Sequence, residues 1–307
     1  MGKFILYRLA QFPLILAIIY LLTFALAWVA PGSPFANERK LDPLVEETLR
    51  KRFHAESASS FLWHTTAAAL KGEDIPSMQY NEFPVGDIIS EALPVSVALG
   101  LFALVVAVPV GVGIGTLAAV RREGLLDWFS LSIALIGISV PSFVIASLLL
   151  GFAAWSKVLP IGDWGTFRHL ILPGLALSLA PMAYIVRLTR VSMLDTLSAD
   201  YVRTARAKGL TKPTVVWKHC LRNAFLPVLS YLGPAAAITL TGSFVVEKVF
   251  TIPGLGQHFV QSVLNRDRTL ILGVVMVYSV FLLTFNLLVD VAYAWVDPRI
   301  DVTAKAP

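Results

Sequence analysis

Charge is scarce in this chain. Asp, Glu, Lys and Arg make up 15% of its 307 residues, against about 25% in an average soluble domain. Apolar residues make up 56%, and the mean hydropathy is +0.73. Those figures exclude an ordinary soluble globular protein, a disordered chain and a fibrous repeat. Cysteine is nearly absent. Cys220 stands alone, which excludes an intrachain disulfide and a multi-cysteine metal site. The five histidines, His54, His64, His169, His219 and His258, are scattered without metal-ligand spacing. Neither a Walker-type glycine–lysine loop nor a G-x-S-x-G sequence occurs, so nucleotide binding and covalent catalysis have no motif here. Gly113-Ile-Gly115-Thr-Leu-Ala118 matches the dinucleotide pattern loosely, but it lies inside an apolar run without a strand–turn–helix context. Gly111 and Gly115 read instead as small residues that permit close helix contact.

Long apolar runs are what the chain has in abundance. Six stretches carry no charge: Leu9–Asn37, Leu93–Val120, Trp128–Ser156, Leu170–Val186, Asn223–Val246 and Thr269–Val289. Each is long enough, or nearly so, to cross roughly 30 Å of hydrocarbon as a helix. A barrel would show alternating segments of about 10 residues instead. The expected fold is therefore all-α, a polytopic membrane protein forming one domain over 1–307. Approximate spans are 9–30, 93–120, 128–155, 170–191, 224–246 and 269–291. Ala25-Leu26-Ala27 resembles a signal-peptidase site, but the run before it exceeds a usual signal core of about 7–15 residues, so the first span is expected to be retained.

Lys and Arg set the orientation. Six spans put both termini on one side, and fourteen basic residues fall there, eight of them between Arg187 and Arg222. The two shorter loops opposite hold five, and the long loop 31–92 holds six among ten acids. Long loops contribute little to this rule, so both termini are expected in the cytoplasm and loop 31–92 outside. The basic excess, with a pI near 9.3, reads as topology and not as nucleic-acid affinity. Within the external loop, Asp42-Pro43 reads as a helix start, with Glu46 and Glu47 early and Arg50, Lys51 and Arg52 late. That pattern fits a small external cap or a passive spacer. Pro109, Pro141, Pro173, Pro181, Pro227 and Pro234 punctuate the spans, as in broken helices around a moving pathway or in membrane helices generally.

Two polar features stand out. Asn286, Asp290 and Tyr293 share one helical face at i, i+4 and i+7. An intramembrane acid is a functional candidate by default. Asn286 and Asp290 thus mark a candidate proton or cation site, or a structural acid near the cytoplasmic end. Glu247-Lys248 closes the fifth span and is expected at the interface. The segment 192–222 carries the more informative pattern. Ser198 is a candidate cap, Asp200 lies in a first turn, Arg206 and Lys208 in a last one, Gly209 can end the helix, and Pro213 blocks its continuation. Tyr201, Val202 and Ala205 form a small apolar face. Such a helix suits docking onto a partner protein, while a basic loop that merely fixes topology explains the same charges.

Arg203-Thr204-Ala205-Arg206-Ala207-Lys208-Gly209-Leu210, followed by His219-Cys220-Leu221-Arg222-Asn223-Ala224 and Leu226-Pro227, resembles the cytoplasmic signature of bacterial ABC-importer permeases. More narrowly it is similar to the oligopeptide/dipeptide/nickel branch, most of all the oligopeptide permease B-type subunit. Ala30-Pro31-Gly32-Ser33-Pro34, Gly242–Glu247, Pro253-Gly254-Leu255-Gly256, Leu264-Asn265-Arg266-Asp267 and Asp297-Pro298-Arg299 carry the likeness along the whole chain. The general importer signature begins Glu-Ala-Ala where this chain has Arg203-Thr204-Ala205, a departure typical of the branch. The resemblance implies a non-enzymatic, multi-pass permease subunit of the bacterial inner membrane, moving oligopeptides by alternating access. It implies a second homologous permease, two ATPase chains that hold ATP and Mg, an external substrate-binding protein, and no cofactor on this chain. Tyr201, Arg203, Thr204, Ala205, Arg206, Ala207, Lys208, Gly209 and Leu210 would form the coupling helix, with Arg203, Arg206 and Lys208 facing acids of the ATPase. Dipeptides, nickel chelates or cell-wall peptides are alternative cargoes, and an ion-coupled secondary transporter using Asp290 is the alternative class.

Overall fold

The computed structural model describes residues 2–35, 42–80, 83–241 and 244–296, and the account below is of these residues. They are almost entirely helical, with one isolated bridge between Pro76 and Pro84. In chain order the helices are α1 Gly2–Val29, α2 Pro43–Arg52, α3 Ala58–Lys71, α4 Val85–Val120, α5 Leu125–Ser139, α6 Ser142–Ser156, α7 Phe167–Ser198 and α8 Asp200–Ala207. After a short α9, Lys212–Thr214, comes a π-helical turn at Val215–Cys220. Then follow α10 Leu221–Ala224, α11 Leu226–Leu240, α12 Phe244–Val249, α13 Leu255–Leu264 and α14 Arg268–Val296.

Five stretches are long and apolar enough to cross a membrane: Ile5–Val29, Val85–Val120, Phe167–Ser198, Leu226–Val249 and Arg268–Ala292. The third expected span is not one rod. α5 and α6 meet at Val140-Pro141 with a bend of 106°, because Pro141 cannot continue the helical hydrogen-bond ladder. The fourth span is longer than its uncharged window, and α7 runs on through Arg187, Arg190 and Asp195 to Ser198. Ser198 consequently caps nothing. Its hydroxyl donates back to the Asp195 carbonyl, and Ala199 stands at the N-cap of α8. The fifth window is divided between α11, which ends at Leu240, and α12.

The central pair is α4 and α7, and small residues let it close. A Cβ on Gly115 would lie 2.6 Å from the Val186 carbonyl oxygen, and one on Gly111 2.8 Å from Ile185. Helices held together without a hydrophobic driving force need such close backbone approach. α1 is the most peripheral span, lying along α14. Arg8 pairs with Asp290 at 3.0 Å near one end. At the other, Arg268 donates to the Ala27 carbonyl and stacks over Trp28, while Arg266 donates to the Pro31 carbonyl at 2.7 Å.

α2 and α3 form a folded cap, not a spacer. The Asp42 carboxylate accepts from the Leu44 amide, and Ser57 caps α3 through the Ser60 amide. Phe61 is fully buried in a cluster with Phe35, Phe53, Met78 and Leu272, and Tyr20, Phe24 and Trp28 of α1 pack against it. Buried Asp267 caps α14 through the Leu270 amide and accepts from Ser77, Gln79 and Thr269, fastening residues 77–80 to that helix.

Candidate functional site

The candidate docking segment is built on one turn of buried contacts. Asp200 in the first turn and Arg206 in the last complement the dipole of α8. Val202 and Ala205, three residues apart, face the same side, and both are buried. They enter a cluster with Ala119 at the end of α4, Met193 of α7, and Val215, Cys220 and Ala224. α8 therefore packs directly on α7 and the π-helical turn, and Ala119 of α4 closes the same cluster. The Asn223 side-chain amide donates to the Tyr201 hydroxyl at 2.9 Å, a second tie from α8 to the start of the fifth span. Burial pushes the Cys220 thiol up from its ordinary value, so this cysteine acts as a packing residue.

The opposite face of α8 is open. Arg203, Thr204, Arg206, Ala207, Lys208, Gly209 and Leu210 are all exposed. Arg203 meets Asp200 at 3.4 Å with both side chains largely in solvent, a pair worth little to stability. Gly209 has φ +78°, and the chain closes there as a Schellman cap. The Gly209 amide donates to the Arg206 carbonyl at 2.9 Å and the Leu210 amide to Ala205 at 3.3 Å. Beyond the cap, Trp217, Leu221, Arg222 and Phe225 form one wall of an open groove of about 840 Å³. Val108, Pro109, Val112 and Gly113 of α4 form the other.

The structure separates the two members of the candidate intramembrane site. Asn286 faces α11, where a Cβ on Gly233 would lie 2.8 Å from its Oδ1, whereas the Asp290 carboxylate turns to Arg8 on α1. Among the described residues no hydrogen bond or ion pair joins them, and Asp290 forms an interhelical ion pair with Arg8. The side chain of Tyr293 lies outside the described residues.

Two polar centres escape sequence reasoning. The first joins α5 to α7 just above the docking cluster. Arg190 grips Asp127 through Nε at 2.5 Å and Nη2 at 2.9 Å, and the Glu123 amide adds a third bond at 3.0 Å. Sixty-three residues separate the pair, and nothing local in the sequence signals it. The second centre is Glu247, which is fully buried rather than interfacial. Its carboxylate accepts from Ser96 Oγ of α4 at 2.8 Å and from the Gln257 amide at 3.1 Å, with the Gly256 amide contributing as well. Ser96 Oγ in turn accepts from the Leu255 amide at 2.8 Å. The N-terminal amides of α13, which no intrahelical partner can satisfy, are thus taken up by α4 and α12. The Pro253-Gly254-Leu255-Gly256 stretch follows from this packing. A Cβ on Gly256 would lie 2.8 Å from the Phe244 amide nitrogen and 2.9 Å from the carboxylate.

Comparison with known proteins agrees with this geometry. Residues 111–302 match the family described as binding-protein-dependent transport system inner membrane component. The chain is 41% identical over 307 residues to the dipeptide transport system permease protein DppB of Bacillus subtilis (strain 168), covering 99% of this chain and 100% of that one. It is 40% identical over 304 residues to the oligopeptide transport system permease protein OppB of Escherichia coli (strain K12), covering 98% and 99%. Among solved structures, the crystal structure of an amino acid ABC transporter with histidines superposes with a TM-score of 0.54 at 19% identity, covering 68% of this chain and 94% of that one. That likeness extends to the fold.

Proposed function

From the premise that this chain belongs to the family of binding-protein-dependent transport system inner membrane components, multi-pass permease subunits of ABC importers, we propose that it carries oligopeptides inward by alternating access. Relatives named for dipeptides and for oligopeptides match it about equally well, and a dipeptide cargo fits the same machine. ATP and Mg²⁺ belong to two ATPase chains. A second permease completes the pathway, and an external binding protein delivers the peptide.

The observation that carries this reading is the two-faced α8. Val202 and Ala205 anchor it to α7 and the π-helical turn in a cluster that Ala119 of α4 joins, while Arg203, Arg206 and Lys208 stand in solvent, ready for acids on an ATPase. ATP-driven closure reaching α8 passes into both central spans through that shared cluster. It also changes the width of the adjoining groove, because Trp217, Leu221 and Phe225 form one of its walls. We assign the groove to the cytoplasmic part of the pathway. Switching such a two-state path requires each ligand to favour one state, ATP from within and loaded binding protein from outside.

Mild-detergent purification from the native membrane tests the reading, with ATPase activity assayed on the eluate. An ATPase and a second permease are expected to accompany the wild-type chain, and less of both to accompany Gly209→Pro and Ala205→Glu. If the chain elutes alone under conditions where other membrane complexes survive, the docking role fails.

A further inference from the structure

The external leaflet end of the molecule holds a dry cavity that neither the docking segment nor the pathway uses. It has a volume of about 390 Å³ and lies between α1, α3 and α14. Leu16, Ala17 and Tyr20 form one side, Ala69 and Leu70 the second, and Leu272 and Met276 the third. The Tyr20, Thr66 and Thr269 hydroxyls around it are turned to protein partners. Thr66 Oγ1 bonds Tyr20 and the Leu62 carbonyl, and Thr269 Oγ1 bonds the Pro76 carbonyl and Asp267. Water finds too few partners there, and a void this apolar stays dry.

The depth and openness of the cavity point to its occupant. Met276 lies eight residues into α14, about 12 Å from its external end at 1.5 Å per residue. The cavity thus reaches down through the outer half of a bilayer about 30 Å thick. Leu70 at its rim is 84% accessible, and Trp63 of α3 is 73% accessible. Tryptophan at such a level marks the membrane–water interface. That exposed apolar face suits α3 to the outer surface of the bilayer as an interfacial helix. On its other flank, a smaller cavity of about 160 Å³ holds Arg52, His54, His64, Glu73 and Asp74. Thr65, Ile75 and Thr269 line both cavities. A guanidinium, two imidazoles and two carboxylates therefore stand beside a hydrocarbon slot.

We propose that this pair of cavities seats one outer-leaflet phospholipid, its acyl chain beneath α3 and its zwitterionic headgroup among Arg52, the stacked His54–His64 pair and the acids Glu73 and Asp74. The guanidinium and imidazoles meet the phosphate, and the carboxylates meet an ammonium. A slot of 390 Å³ lies near the small end of ligand cavities, enough for one chain and too narrow for a folded peptide. The lipid fills the space that the peripheral α1 leaves against the cap and couples the α2–α3 cap to the bilayer.

Lipid analysis of the purified assembly tests this, after exchange into nanodiscs of phosphatidylethanolamine and phosphatidylglycerol and re-extraction in mild detergent. Ala69 is exposed at the slot, so Ala69→Trp fills it without displacing core atoms, and Leu22→Trp on the outer face of α1 serves as a control. Wild type and Leu22→Trp are expected to retain one more phosphatidylethanolamine per chain than Ala69→Trp. A photoactivatable acyl chain is expected to crosslink to α3 and α14 in wild type and at least fivefold less in Ala69→Trp. Equal lipid content in all three proteins, or crosslinks spread evenly over the lipid-facing spans, would overturn the proposal. Retention of phosphatidylglycerol in equal amount would overturn the headgroup assignment.

Discussion

Replacing Gly209 by Ala isolates the turn that ends α8, the proposed docking helix. A Cβ there would meet nothing within 4 Å, so sterics with neighbours contribute nothing. The cost is the backbone itself, since φ is +78° and an L-residue in the left-handed region loses about 1–2 kcal/mol. Two hydrogen bonds, from the Gly209 and Leu210 amides, depend on that conformation. A penalty of that size lowers the population of the closed cap by a factor of roughly 5–30. Peptide uptake in intact cells should fall several-fold, with chain abundance in the membrane unchanged and less ATPase co-purifying. Asn tolerates the left-handed region, so Gly209→Asn should recover most of the uptake. The reasoning is refuted if Gly209→Ala transports like wild type, or if the Asn and Ala variants lose activity equally.

Glu247→Ala should lower the thermal unfolding temperature of the assembly, because two buried α13 amides lose their acceptor at about 1–3 kcal/mol each. An unchanged melting profile would show the carboxylate to be dispensable. Arg190→Ala removes two of the three hydrogen bonds to the Asp127 carboxylate and should lower the expression level. The exchanged pair Asp127→Arg with Arg190→Asp should restore part of the expression level and lower the ATP consumed per peptide relative to the single mutant. Burial holds His258 below its ordinary value, with Glu91 opposing. The folded protein therefore binds fewer protons there than the unfolded chain, and stability is lost as pH falls through about 6.5. His258→Phe should flatten that slope in melts between neutral and mildly acidic pH, and an unaltered slope would place the titration elsewhere.

Much of this protein was legible in its sequence because the bilayer imposes simple rules. A lipid-exposed backbone must satisfy its hydrogen bonds within a helix, so uncharged windows map onto spans, and the excess of Lys and Arg in segment 192–222 marks one end of the bundle. α2 was equally readable, since Asp42, Pro43 and the order of charges act within a single turn. Gly209 and the polarity of α8 are also local signals. What the linear order hides is pairing at a distance. Arg190 finds Asp127 across 63 residues, Glu247 finds Ser96 across 151, and Arg8 finds Asp290, each because helix packing brings residues remote in sequence to one level. An uncharged window also says nothing about direction, so the 106° bend at Val140-Pro141 and the continuation of α7 to Ser198 emerge only from contacts with neighbouring helices. Glu247 illustrates the division. Its position at the end of a span suggested exposure, yet the orphan amides of α13 drew it inside, because a carboxylate that meets several buried N–H donors is better placed there than in water.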